Sequence, residues 1–73
     1  MMSKRPPTPA EIGAIVRTTR KSAGLRQDEL AGAAGVGLRF IVDLEAGKPT
    51  LRLETMLKVL HALGGSLSVD GLD

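Results

Sequence analysis

The feature that most constrains this chain is Gly35, which stands between two short segments that both read as helices. Upstream, Gln27 to Ala34 places Asp28 and Glu29 in its first turn, where carboxylates complement the partial positive charge of a helix N-terminus. Downstream, a segment from about Leu38 to Ala46 is stopped by Gly47 and then by Pro49. A connection of roughly three or four residues containing a glycine makes two helices cross steeply rather than continue in line. That is a helix-turn-helix pattern. It predicts an all-α fold in which the second helix of the pair is presented outward.

The flanking sequence supplies helices to support the pair. Thr8 is placed to cap a first helix, Pro9 sits at its first position, and Glu11 completes a capping box. Ile12, Ile15, Val16 and Thr19 follow at helical spacing, Gly24 ends the helix, and Leu25 is placed to fold back onto it. A last helix is expected over about Leu53 to Leu63, ending at Gly64-Gly65. Its Leu53, Met56, Leu57, Leu60 and Leu63 make one stripe, while Val59 lies off it and leaves a second apolar face needing cover. The expected core is Ile12, Val16, Leu25, Leu30, Val36, Ile41, Leu44, Met56, Leu57 and Leu60, with Phe40 packing rather than stacking on a base.

Beyond the last helix, Ser66 to Asp70 alternates polar and apolar residues with the period of a strand. A lone strand cannot satisfy its own backbone groups, so it needs another chain, and a second copy across a two-fold axis is the simplest partner. Val59, Leu67 and Val69 are the residues expected at such a dimer interface. The alternative reading of this segment is a frayed tail. The chain thus divides into a flexible arm at 1–7, a domain at 8–64, and a strand and tail at 65–73.

Composition narrows the function. A core drawn from 73 residues supplies little net stability, and the absence of cysteine rules out a disulfide staple, so oligomerisation is the expected support. With Pro6 and Pro7 after Lys4 and Arg5, no secretory signal is read, and the longest apolar stretch is too short for a bilayer. A cytoplasmic protein without membrane contact is expected. Up to Arg52 the chain carries nine basic and five acidic residues, a balance of +4; beyond it, one basic and three acidic residues give −2. A basic front and acidic rear suit a module that turns one side to a polyanion. One histidine (His61), no cysteine, no metal-ligand pair and no phosphate-binding loop speak against an enzyme, and no cofactor is expected.

Gly24-Leu25-Arg26-Gln27-Asp28-Glu29-Leu30-Ala31, then Gly35-Val36, then Ile41-Val42-Asp43-Leu44-Glu45-Ala46-Gly47-Lys48 resemble the Cro/C1-type helix-turn-helix family. The likeness runs from Ile12 to Asp70 and implies a small, lambda-repressor-like fold of about four helices that binds double-stranded DNA. More narrowly, Gly47 to Thr55 followed by Leu57 to Gly64 resembles the HipB-type antitoxin branch. That branch implies a C-terminal strand paired across a homodimer, a HipA-like kinase toxin as partner, and repression of the pair's own operon.

The resemblance also assigns roles. Leu38, Arg39, Val42 and Asp43 fall where the family reaches base edges, and Arg bidentate to guanine is the commonest specific contact. For Arg39 the alternatives are a phosphate contact or a solvated side chain. Leu38 and Val42 either meet a thymine methyl or close the core, and Asp43 either accepts from a cytosine amino group or pairs with a nearby cation. Gln27 falls where the family anchors to the DNA backbone, and Arg26 replaces the usual capping Thr or Ser with a positive charge. Lys48, Thr50 and Arg52 are expected to touch phosphates or to be solvated. Arg20 and Glu45 fall where related folds form a partly buried ion pair between the first and third helices. Two functions follow: a homodimeric sequence-specific repressor, or alternatively an interaction module that mainly sequesters a toxin.

Overall fold

The first helix begins where its capping chemistry allows. Thr8 Oγ1 accepts from the Glu11 amide at 3.1 Å, and the Glu11 carboxylate accepts from the Thr8 amide at 2.8 Å, so two otherwise orphaned donors are satisfied reciprocally. The computed structural model describes residues 7–65, and within them the chain forms α1 (Pro9–Ser22), α2 (Gln27–Ala34), α3 (Leu38–Glu45) and α4 (Leu53–Ala62). Gly35 takes φ +70°, the left-handed conformation that lets α2 stop and the chain turn toward α3. The expected strand, with Leu67 and Val69, lies outside the described residues, as does residues 1–6 of the expected arm.

Helix α3 packs on both α1 and α2, and α4 packs on α2. Val16, Leu30, Ala31, Ile41, Leu44 and Val59 form the buried core. Ile12, Leu25, Val36, Phe40, Met56 and Leu60 are half-buried against it. Two expectations on α4 are corrected. Val59 is not at an interface: it is 0% exposed, enclosed by its own chain. Leu57 is not in the core: it is 40% exposed, with Leu53 beside it at 57%. The apolar arc of α4 is wider than the part that the fold buries, and Val59 falls in the buried part. The leftover apolar face is therefore that of Leu53 and Leu57.

Two features hold α3 against α1. Gly13 sits on the buried side of α1, and a Cβ there would run into the Leu44 carbonyl oxygen and lie 2.9 Å from that of Glu45. The helices approach this closely only because position 13 has no side chain. One and two turns further along, Arg17 and Arg20 follow on the same side of α1, and Arg20 reaches across. Its Nε donates to Glu45 Oε2 at 2.6 Å and one terminal nitrogen to Glu45 Oε1 at 2.9 Å, while the other terminal nitrogen donates to the Leu25 carbonyl at 2.8 Å. Gln27 adds a third donor to Glu45, at 3.1 Å. The two charged side chains are only 8% and 5% exposed, yet among the described residues no buried side-chain nitrogen or oxygen lacks a partner.

Burial pushes the Glu45 carboxyl up. Hydrogen bonds from Arg20 and Gln27 and the charges of Arg20 and Arg17 outweigh it, leaving the group below its ordinary value. The hydrogen bond to Glu45 likewise holds Arg20 above its ordinary value, against the opposing effect of burial.

Gly13→Ala tests the close approach. In an isolated helix the change adds about 1 kcal/mol of stability; here overpacking should leave the protein about 1–3 kcal/mol less stable in urea unfolding. A variant at least as stable as the wild type would refute the constraint. The Glu45 pair predicts a pH dependence: because its folded-state value is depressed, its stabilisation is complete above the unfolded-state value of about 4.3. It is lost as pH falls through the folded-state value. Glu45→Gln should flatten that acid limb and cost about 3 kcal/mol or more at neutral pH. An unchanged acid limb in thermal melts would remove Glu45 as its cause.

Candidate DNA-binding face

The outward strip of α3 is defined by what the core takes. Ile41 and Leu44 are buried and Phe40 is half-buried, so Leu38, Arg39 and Val42 are left on the opposite side. Leu38 is 48% exposed and the Arg39 side chain 83% exposed, whereas Val42 is half-buried. No carboxylate occupies the first turn of α3, so its N-terminal end carries no charge that would repel a polyanion.

Asp43 lies on one flank of this strip. One of its oxygens is 3.2 Å from Arg39 Nε and the other 3.6 Å from Lys48 Nζ. The Lys48 amide also donates to the Asp43 carbonyl at 3.0 Å, which fixes the start of the loop between α3 and α4 beside the helix. The carboxylate therefore faces two cations in the free protein. Thr50 and Arg52 follow in the same loop and are exposed, with Arg52 at the N-cap of α4.

The other flank is that of Glu45, roughly 160° around α3 from Asp43 at 100° per residue. Here an open concavity has Arg17, Arg20, Arg26 and Gln27 on one wall and Val42, Glu45 and Ala46 on the other. Gln27 is half-buried, with its amide nitrogen on Glu45. Arg26 is at the N-cap of α2 but offers no side-chain acceptor there; its own amide donates to the Glu29 carboxylate at 2.8 Å. The Arg26 guanidinium meets Asp28 at 3.1 Å, and this hydrogen bond raises the arginine's affinity for its proton and lowers that of the aspartate. Both side chains are more than half exposed, so this pair contributes little to stability and leaves Arg26 able to exchange partners.

Cations thus border α3 on both flanks, with a partly apolar strip between them. An α-helix is about 10–12 Å across and the major groove of B-DNA about 12 Å wide, so a helix seated in the groove brings both of its flanks to phosphates. Arg17 lines the concavity as well, and sequence reasoning did not single it out. The only signal available was its position three residues before Arg20, which does not tell one α1 cation from another. His61 lines a shallow surface patch with Ala33, Ala34 and Leu57, away from α3. Among the described residues no cluster of His, Asp or Glu is arranged to hold a metal, and no helix is long and apolar enough to cross a membrane.

Residues 16–69 match the helix-turn-helix family HTH_3. The chain is 65% identical over 68 residues to the uncharacterized HTH-type transcriptional regulator y4mF of Sinorhizobium fredii, spanning 93% of this chain and 90% of that protein. The fold superposes on HipB in the HipB–O4 20mer complex and in the HipA-HipB-O2-O3 complex with a TM-score of 0.80. The identity in each is 22%, covering 97% of this chain and all of HipB. The clp gene regulator ClgR from C. glutamicum matches with a TM-score of 0.73 and 32% identity, over 90% of this chain and 85% of ClgR. The left-handed turn at Gly35, the outward α3 with cations on either side, and a relative so similar over nearly its whole length lead to one conclusion: this chain belongs to the Cro/C1-type helix-turn-helix family of DNA-binding transcriptional regulators.

Proposed function

We propose that this regulator is a sequence-specific repressor that binds a near-palindromic operator as a homodimer, acts in the cytoplasm, and has no catalytic activity of its own. The observation that carries this reading is the exposed strip of α3, with Arg39 at its most solvated point and cations on both flanks. In a two-fold dimer the paired α3 helices would enter successive major grooves roughly 34–36 Å apart. Arg39 reads a base, held ready by its contact with Asp43; Leu38 and Val42 supply apolar contact to a thymine methyl; and Asp43 serves mainly to position the cations around it. Arg26, Gln27, Lys48, Thr50 and Arg52 hold the phosphate backbone, which fixes register without selecting sequence.

The finer reading is that the protein is the antitoxin of a HipA-like kinase toxin and represses its own operon. The HipB fold, which this chain shares, occurs in complexes with an O4 20mer and with HipA. The exposed Leu53 and Leu57 favour a second reading in which holding a protein partner is the main task. Co-purification with the product of an adjoining kinase-like reading frame decides between them. A complex that forms without operator affinity favours sequestration, and operator affinity without any complex removes the antitoxin role.

Replacing Arg39 by Ala should cost about 1–3 kcal/mol of operator affinity and relax preference at one base position. Gel-shift titration against a panel of single-base variants measures this. A uniform loss across the panel would show that Arg39 touches only phosphate. A solution mass of one chain at micromolar concentration, with and without operator, would overturn the dimer.

A further inference from the structure

We propose that Arg17 of α1 is a phosphate-binding residue, so that the first helix takes part directly in holding DNA. The inference rests on the DNA-binding reading above and extends it to a helix that otherwise supports the fold.

The argument is one of charge already committed and charge left over. The concavity beside α3 has three arginines and one carboxylate in its walls. The guanidinium of Arg20 is fully engaged, with two nitrogens on Glu45 and the third on the Leu25 carbonyl. Glu45 is in turn neutralised by that contact, and Arg26 rests against Asp28 in an exposed pair. Arg17 is exposed and makes no hydrogen bond or ion pair with another described residue. It is close enough to Glu45 for its charge to act there, which places it at the mouth of the concavity rather than on the far side of α1. Of the three arginines lining the concavity, Arg17 alone has no hydrogen-bond or ion-pair partner among the described residues.

A small, strongly charged anion with several acceptor oxygens fits such a place. The choice of a DNA phosphate follows from position: Val42 of α3 and Ala46 at its C-cap form the facing wall, so whatever lies along the outer strip of α3 passes the mouth of the concavity. Gln27 and Arg26, at the start of α2, stand on the same side as Arg17. With Lys48 on the opposite flank, Arg17 gives the groove-seated helix an ionic contact on each ridge.

The test is the salt dependence of duplex binding by the full chain. Each phosphate neutralised contributes about −0.9 to the slope of log K against log salt. Arg17→Ala should make the slope shallower by about 0.9 for each bound protomer. Between 50 and 200 mM salt the wild type should therefore lose about 3.5-fold more affinity per protomer than the variant. Base preference should be unchanged, and Arg17→Lys should keep the wild-type slope. A wild-type slope in Arg17→Ala, a changed base preference, or a Lys variant that behaves like the Ala variant would each overturn the role of Arg17. A wild-type protein without salt-sensitive affinity for any duplex would instead overturn the DNA-binding reading itself.

Discussion

Arg20 and Glu45 are 25 residues apart in sequence, and the bidentate contact between them decides how the rest of the protein is arranged. Taking two charges out of water costs several kcal/mol each, and only near-ideal geometry with every remaining donor satisfied offsets it. That condition is met because the Leu25 carbonyl takes the spare guanidinium nitrogen and Gln27 supplies a further donor to Glu45. One carboxylate is thereby tied to α1, to the α1–α2 turn and to the start of α2. Helix α3 cannot roll about its axis without breaking the contacts of Glu45 with Arg20 and Gln27. Which side chains it offers to DNA is set by a contact on its inner flank.

Gly13 works with the same pair. Bare backbone at that position lets α1 settle onto the carbonyl oxygens at the end of α3, and this brings Arg20 within reach of Glu45. The close approach also places Arg17, one turn beyond Gly13, at the edge of the concavity beside α3. A glycine chosen by packing and an arginine free for binding are therefore linked through the axis of one helix. The division of labour among the cations follows from burial. Arg20 is sealed in and structural, whereas Arg17, Arg26, Arg39, Lys48 and Arg52 are exposed and can meet phosphate or base.

Asp43 shows how an acid can sit inside the candidate DNA-binding face. Its carboxylate is paired with both Arg39 and Lys48, so the group as a whole keeps a net positive charge. Pairs whose cations are this exposed add little stability. Their effect is to limit where two long side chains wander before a duplex arrives, which reduces the entropy lost on binding.

The local rules of the chain were legible in the sequence itself. The capping box at Thr8 and Glu11 and the glycine turn at Gly35 follow from backbone hydrogen bonding and left-handed geometry, which act over a few residues, while the position of Arg39 was implied by the family resemblance. Tertiary structure alone decided what depends on the angle at which one helix meets another. It buried Val59 and exposed Leu57, because the apolar arc of α4 is broader than the part the fold buries and periodicity does not say which edge turns inward. It also separated Arg17 from Arg20. The two are chemically identical on the same side of the same helix, yet one is consumed by Glu45 and the other has no hydrogen-bond or ion-pair partner among the described residues, since pairing is settled by distances across the fold.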